Sequence, residues 1–321
     1  MKVGYFKVSV LMVVIGLLVV AIVLQPSHLF ASGHREPKVT SCGRIATAML
    51  QSGQQEAWSE YWLAVAKCFN LSNAKERAAC MKEAKADLKN NLELAEAQFE
   101  ARKEICESLG GDSYNPVIDP KNFVDTIDNP YLTLTPGTTF IYEKITGSET
   151  EIVEVNVTGE TKVILGVTCV VVHDTATING ELMEDTIDWY AQDTAGNVWY
   201  FGEISKGFVD GDLVSLEGSW KAGVDDALPG IVMKAHPEVD DLYRQEFAIG
   251  VAEDMSRVVS LDESVTVPYG SFNHCLQTED FSPIDPGAME YKYFSPEVGQ
   301  VVLTIDAETG TREELVDIQI K

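Results

Sequence analysis

Four cysteines in a segment poor in Gly and Pro place the strongest constraint on this chain: Cys42, Cys68, Cys80 and Cys106. The first and second are 26 residues apart, as are the third and fourth, which is roughly 39 Å along a helix. Because a disulfide requires Cα atoms within about 7 Å, neighbours in sequence cannot pair if the segment is helical. Facing residues of an antiparallel hairpin have a constant sum of residue numbers, and only the nested pairing satisfies this. The spacing therefore predicts Cys42–Cys106 and Cys68–Cys80 disulfides.

Hydrophobic periodicity predicts that residues 43–109 form this helical hairpin. Apolar residues recur at helical spacing along both halves, at Trp58, Trp62, Val65 and Phe69 in the first and at Ala84, Leu88, Leu92, Ala95 and Phe99 in the second. Ser72 or Asn73 can cap the second helix at its start, and Gly110-Gly111 ends it. Such a hairpin could dock a partner, act as a spacer or cap the region that follows.

The N-terminus has the layout of an export signal. Lys2 and Lys7 precede an uncharged apolar run from Val8 to Leu24, which Pro26 ends. The run is slightly short for a relaxed membrane span, which needs roughly 20 residues, and a cleavage site follows Ala31. We therefore expect residues 1–32 to be a signal peptide or an uncleaved N-terminal membrane anchor. Either way, the rest of the chain is expected in the periplasm, outside the cell or on its surface.

The chain has a formal net charge of −26, and the excess of acid is confined to its second part. Residues 116–321 carry 38 acidic and 11 basic side chains, whereas residues 33–115 carry 12 and 11. This shift marks a domain boundary. An acidic surface repels nucleic acid and anionic lipid. We therefore expect no nucleic-acid partner, and membrane contact only through an uncleaved N-terminal segment.

Turn residues and a change of period indicate a β domain. Residues 110–136 contain Gly-Gly, Asn-Pro, Asp-Pro and Pro-Gly pairs and are predicted to be a linker. From residue 137 to 321 the hydrophobic period is two, and many short strands alternate with Gly-rich turns. No long helix separates these strands, which argues against a parallel sheet. The predicted class is α+β, with the helical hairpin preceding a mainly antiparallel sheet that curls or forms a half-barrel.

Residues 185–203, DTIDWYAQDTAGNVWYFGE, concentrate aromatic rings and carboxylates in one predicted β-hairpin. With a turn at 193–197, Trp189 would face Phe201 and Tyr190 would face Tyr200. One interpretation is a well-packed hairpin. The other is a pocket wall that binds a lipophilic or aromatic ligand, with Glu203, Asp188 or Trp220 at its mouth. The candidate ligand-binding residues are Trp189, Tyr190, Trp199, Tyr200, Phe201, Glu203 and Trp220.

Several segments resemble those of a group of uncharacterised exported bacterial proteins: EDTIDWYAQDTAGNVWYFGE, EGSWKAGVDDALPGIVM, YRQEF and VPYGSF. The resemblance runs from about Tyr131 to Asp306 and does not include the helical hairpin. It implies no catalytic residue, because that group has no assigned activity. The segment LTPGTTFIYE with the short strands after it is similar to envelope proteins with a curled antiparallel half-barrel, such as the lipoprotein-carrier fold. That similarity implies a lipophilic ligand by analogy.

Two further sites remain open. Cys169 and Cys275 are predicted either to form a third disulfide or, with His173 and His274, to contribute to a metal site. A weak calcium site is also considered, because three acidic residues follow one another closely, at Asp210, Asp212 and Glu217. Otherwise no cofactor is expected.

Catalytic signatures are scarce. The sequence has no GxSxG, HExxH or GxxxxGK[ST] motif, and nothing selects a carboxylate pair for hydrolysis. We therefore favour an exported envelope module that binds a small ligand or envelope macromolecule, or has a structural role, over an enzyme. The alternatives are a hydrolase that uses acidic residues and a surface protein that interacts through the hairpin.

Overall fold

The computed structural model describes residues 40–320. The predicted signal peptide or anchor, residues 1–32, lies outside this range. Within it, neither helix combines the length and the apolar composition that crossing a membrane requires.

Two long antiparallel helices form the hairpin, α1 (Ser41–Phe69) and α2 (Ala74–Ser108). The side chain of Asn73 accepts hydrogen bonds from the backbone N–H groups of Lys75 and Glu76, which caps α2 as predicted. Both nested disulfides are confirmed, each with a Cα–Cα distance of 5.6 Å: Cys42–Cys106 and Cys68–Cys80.

The face that joins the two helices differs from the prediction. Small residues fill it: Ala57 of α1 and Ala84 and Ala95 of α2 are buried, and a Cβ atom added at Gly53 would lie 3.2 Å from that of Ala95. This close approach leaves no room for large rings, so three residues of the predicted apolar stripe are exposed, namely Trp58, Trp62 and Phe69. Interaction through this hairpin surface stays a prediction.

The β domain contains eighteen strands within residues 40–320. They are β1 (Phe123–Val124), β2 (Asp128–Asn129), β3 (Leu132–Thr133), β4 (Thr138–Thr146), β5 (Glu149–Ile164), β6 (Val167–Ile178), β7 (Glu181–Asp193), β8 (Val198–Val209), β9 (Asp212–Ser215), β10 (Trp220–Lys221), β11 (Leu228–Met233), β12 (Leu242–Arg244), β13 (Glu246–Phe247), β14 (Met255–Val267), β15 (Gly270–Phe281), β16 (Met289–Ser295), β17 (Gln300–Asp306) and β18 (Arg312–Ile320). β2 and β3 pair only with each other.

One antiparallel sheet contains the remaining strands. Its main path runs β12-β14-β15-β16-β17-β18-β4-β5-β6-β7-β8-β11-β13, and β11 approaches β12 near the other end of the path. The sheet is therefore nearly closed and barrel-like, which confirms the predicted class. Because side chains alternate between the two faces of a strand, one face of every long strand points into the barrel.

Residues 110–136, predicted as a linker, pack closely against the barrel. They form a 3-10 turn at Pro120–Asn122 and the short strands β1 to β3. Ile127 and Leu134 join the apolar core, and Phe123 lies 5.7 Å from Phe201 between ring centroids. The turn-forming residues of this segment therefore shape a strap over the sheet, not a free connection.

Two apolar clusters lie on opposite faces of the sheet. The inner cluster gathers residues from strands all around the barrel, including Val172, Val258 and Leu315. The outer cluster comes from β6, β7 and β8 and the segments that cover them, and it includes Trp189 and Phe201.

The predicted Cys169–Cys275 disulfide is wrong, because both residues are buried free thiols. Cys169 belongs to the outer cluster and Cys275 to the inner one, so the sheet itself separates them.

We expect the double substitution Cys42→Ala/Cys106→Ala to lower the thermal midpoint more than Cys68→Ala/Cys80→Ala. The first disulfide spans 64 residues and the second spans 12. The entropy lost by the unfolded chain grows with loop length, which gives a difference of about 1–2 kcal/mol. Thermal unfolding followed by circular dichroism under oxidising conditions measures both variants. Equal midpoints, or the reverse order, would contradict this expectation.

Candidate ligand site

The β7–β8 hairpin predicted from the sequence is present, with a turn organised by Asp193. The carboxylate of Asp193 accepts hydrogen bonds from the backbone of Ala195 and Asn197 and, at 2.9 Å, from the Trp199 indole nitrogen. Tyr190 faces Tyr200, as predicted. This register determines which side chains of the hairpin lie on the same face of the sheet.

The predicted pairing of Trp189 with Phe201 is interrupted by a β-bulge, since the register shifts between residues 188 and 190. Gly202 adopts a positive φ of 126° there, and a Cβ atom at this position would collide with the backbone oxygen of Trp220. The bulge thus needs glycine, and it brings Trp220 of β10 opposite Glu203.

The candidate aromatic residues divide between the two faces of the sheet. Trp189 and Phe201 are buried on the outer face, covered by the strap and by small residues of the loops after β10. Tyr190 lies on the inner face and also contacts the inner cluster. The rings on the Trp face are therefore occupied by packing within the chain. Tyr190 packs against both clusters.

Where Tyr190 faces Tyr200, tyrosines and carboxyls are in direct contact, and Tyr200 and Trp220 also pack with the outer cluster. Tyr190 and Tyr200 stack with ring centroids 4.7 Å apart, and Trp220 meets Tyr200 edge-on at 5.6 Å. The Tyr200 hydroxyl donates a short hydrogen bond to Asp188 Oδ1, and Asp188 is the cross-strand neighbour of Glu203. Two carboxyls and two aromatic rings therefore share one small area.

The part of the barrel that adjoins this hairpin across the β11–β12 closure is also polar. Across β12, β14 and β15, Tyr243 lies opposite Ser256, and Ser256 opposite Asp280. Lys292 Nζ lies 3.2 Å from Asp280 and 3.7 Å from Glu290.

Together these side chains form what we call the acidic ring, around one end of the barrel interior. Each side chain in the ring interacts electrostatically with at least one other side chain in it, and this interaction acts on the pKa of one of the two. The members are Asp174, Asp188, Glu203, Glu246, Asp254, Asp280, Glu290 and Glu313, with Lys292 among them. Lys144 lies beside Glu313 in the sheet but is paired with Glu151 at 3.3 Å. The ring thus contains eight carboxyls and one lysine, which lies beside Asp280 and Glu290.

Burial and mutual repulsion favour the protonated forms of four of these carboxyls, those of Asp174, Asp188, Glu203 and Glu246. Burial, opposed by the Tyr200 hydrogen bond, raises the pKa of Asp188 to about 7. Burial and the charge of Asp188 raise the pKa of Glu203 to about 8. The pKa values of Asp174 and Glu246 are raised well above their ordinary values, mainly by burial and then by neighbouring carboxylates. The ring is therefore partly protonated near neutral pH.

Unmet hydrogen-bonding capacity is concentrated here. Nine buried side-chain polar atoms of residues 40–320 have no hydrogen-bond partner, and eight of them belong to the acidic ring and the side chains beside it. They are Asp174 Oδ1, Asp188 Oδ2, Trp220 Nε1, Tyr243 OH, Glu246 Oε2, Ser256 Oγ, Thr278 Oγ1 and Asp280 Oδ1. Buried polar groups are ordinarily paired, so this set indicates a place where solvent or a ligand binds.

This end of the interior is open to solvent. The side chain of Lys292 retains 33% of its exposure although it points towards the ring, and Glu290 retains 48%. Glu184, near Asp188 and Glu203, is exposed. This side of the acidic ring therefore lies at the protein surface.

The candidate metal ligands do not form a site. No three His, Cys, Asp or Glu side chains of residues 40–320 are arranged to hold a metal ion. Asp210, Asp212 and Glu217 are exposed at the turns that flank β9. His173 instead lies 3.4 Å from Asp185, and His274 lies 2.6 Å from Asp262.

Most members of the acidic ring are absent from the set predicted by sequence. Glu203 was predicted as a binding residue and Asp188 as a group at the pocket mouth. Asp174, Asp280 and Lys292 were not singled out. The sequence feature that could have identified these residues is a charged residue two positions from a buried apolar one, since both then lie on the same face of the strand. Asp174, which follows Val172, is an example.

Comparison with known proteins adds little. No protein-family model and no curated protein matches the chain. Among solved structures, the crystal structure of a provisionally assigned lipoprotein from Parabacteroides distasonis ATCC 8503 matches with a TM-score of 0.31 and 12% sequence identity. The match covers 59% of this chain and 98% of that chain. A likeness this weak supports no inference about ligand or function.

We expect stability to fall as the pH rises from 5 to 8, and Asp188→Asn to reduce that fall. A carboxyl with a folded-state pKa of about 7 and an unfolded value near 3.9 keeps a proton that the unfolded chain releases. The contribution of this proton to the free energy of unfolding is complete below about pH 4 and is lost as the pH rises through 7. The whole contribution is at most about 4 kcal/mol.

Urea unfolding at pH 5 and pH 8 measures this difference. The matched control is Glu149→Gln, an exposed position in β5, which should change with pH as the wild type does. A pH dependence in Asp188→Asn equal to that of the wild type would contradict the assignment.

Proposed function

We propose that this protein is a binding module of the cell envelope whose barrel interior takes a small organic cation, such as a primary amine. One observation carries the proposal: three carboxyl oxygens of the acidic ring are buried without a hydrogen-bond partner, at Asp174, Asp188 and Asp280. The two disulfides support a location outside the reducing cytoplasm.

The charge of the ring favours a cation. Its eight carboxyls have one lysine among them, and Lys292 is already engaged by Asp280 and Glu290. An ammonium group offers three donors and a positive charge, so it would satisfy unpaired oxygens and reduce the repulsion that raises the pKa of Asp174 and Glu203. Binding would then release protons from the ring.

The aromatic side chains favour an organic cation over a metal ion. The stacked rings of Tyr190 and Tyr200 lie beside Asp188, and aromatic faces attract ammonium groups and pack against their carbon chains. Metal binding is not supported by the arrangement of carboxylates in residues 40–320. The lipophilic ligand expected from the sequence is less well supported, because the inner end that reaches solvent is acidic.

Binding can be tested with 1,5-diaminopentane and its neutral analogue, 1,5-pentanediol. We expect the diamine to change the intrinsic Trp fluorescence, since Trp220 contacts Tyr200, and to bind more tightly as the pH rises from 6 to 8. The diol should have no effect. Calorimetry in buffers of different ionisation enthalpy should detect the protons released.

Variants locate the site. Asp188→Asn with Glu203→Gln should weaken diamine binding at least tenfold, about 1.4 kcal/mol, whereas Glu149→Gln should not change it. Equal binding of diamine and diol, or equal affinity in the ring variant and the control, would refute the proposal.

A hydrolase is the second candidate, favoured by the direct cross-strand pairing of Asp188 and Glu203 beside the Tyr200 hydroxyl. Glycoside hydrolysis uses two such carboxyls, one protonated. Release of nitrophenol from a panel of nitrophenyl glycosides would test it. Turnover that is lost in Glu203→Gln while the thermal midpoint is retained would favour the enzyme, and absence of turnover in the wild type would exclude it for these substrates.

A further inference from the structure

The helical hairpin and the β domain meet through a buried ion pair. Arg102 of α2 donates to both carboxylate oxygens of Glu253, at 2.9 and 2.7 Å. Both side chains are almost fully buried. Glu253 also accepts a hydrogen bond from the backbone N–H of Gly250 at 2.8 Å. The Glu253 carboxylate therefore accepts three hydrogen bonds already.

A second arginine lies at the same junction without a carboxylate of its own. Arg244 is 8% exposed, and its Nε is buried with no hydrogen-bond partner. Its two other nitrogens face only sulfur atoms, Met255 Sδ at 3.7 Å and Cys42 Sγ at 3.9 Å. Sulfur is a weak acceptor, so most of the donor capacity of this guanidinium is unused.

The rings around Arg244 do not neutralise it. The guanidinium lies 4.7 Å from the Phe247 ring centroid and 5.7 Å from that of Tyr114. The free energy gained from such contacts is smaller than the free energy that an unpaired buried charge costs. Among residues 40–320, Glu253 is the one buried carboxylate that lines this junction with Arg102 and Arg244, which leaves one positive charge in excess there.

A small cavity adjoins Arg244 at this point. Its volume is about 20 Å³, enough for one particle about the size of a water molecule. Arg102, Arg244 and Glu253 line it, together with Cys42 and Ile45 of the first turn of α1. The positive end of the α1 dipole adds to the positive potential there. Asp112, which also lines the cavity, is exposed to solvent.

We propose that this cavity binds one small inorganic anion, of the size of chloride, which neutralises Arg244 and fixes the helical hairpin against the β domain. The excess positive charge, the unpartnered Nε and the space beside it all favour an anion over a water molecule. The site is separate from the acidic ring, and the proposal does not depend on the function proposed for the ring.

Chloride binding can be measured directly from the ³⁵Cl NMR linewidth. We expect the full-length oxidised protein to broaden the resonance in a saturable way and bromide to compete. Replacing gluconate by chloride at matched ionic strength should raise the thermal midpoint by about 3 °C or more once chloride exceeds its dissociation constant tenfold. No saturable broadening, or no difference between the two salts, would overturn the proposal.

Two arginine variants test whether the chloride binds at Arg244. Arg244→Met should abolish both the broadening and the chloride-dependent shift. Arg257→Met is the matched control, because Arg257 is a half-exposed arginine also placed over an aromatic ring, and it should retain both. Broadening that persists in Arg244→Met, or is lost equally in Arg257→Met, would place the anion elsewhere.

Crystals grown in bromide provide a test without any variant, should Arg244→Met not fold. An anomalous peak in the cavity beside Arg244 would support the site. Peaks at other positions alone would overturn it.

Discussion

The near-closure of one antiparallel sheet is the constraint on which the rest of this structure depends. Side chains alternate between the two faces of each strand, and closure makes one face of every strand point into a common interior. Register then decides what meets there. Val172, Val258 and Leu315 meet in the apolar part, whereas Asp174, Asp188 and Glu203 meet at the acidic end. One interior thus has an apolar part and an ionisable part.

The ionisable part opposes folding unless something occupies it. Packing carboxyls into a confined interior raises their pKa values, so some remain protonated near neutral pH. Oxygens such as Asp174 Oδ1 and Asp280 Oδ1 remain unpaired, and each such group costs about 1–3 kcal/mol. A sequence selected for stability alone would place apolar or paired residues there. This cost is the observation on which the proposed ligand site rests.

The hairpin is held to the barrel by charge, not by its aromatic residues. Its helices are joined through alanines and disulfides, which leaves Trp58 and Trp62 exposed. Arg102 of the hairpin pairs with Glu253 of the β domain. Cys42, which belongs to the Cys42–Cys106 disulfide, lies beside Arg244. Cys42 therefore belongs both to a disulfide that closes the hairpin and to the contact between the hairpin and the β domain.

The sequence by itself determined the features that depend on local spacing: the nested disulfides, the two helices, the period-two strands and the turn before Trp199. It also determined that Tyr190 faces Tyr200, because a two-residue period and a short turn fix the register. Only the tertiary structure decided which face of that hairpin is inside, that Cys169 and Cys275 lie on opposite sides of the sheet, and that Asp174, Asp280 and Lys292 belong to one ring. These depend on closure between strands far apart in the chain, which no local pattern encodes.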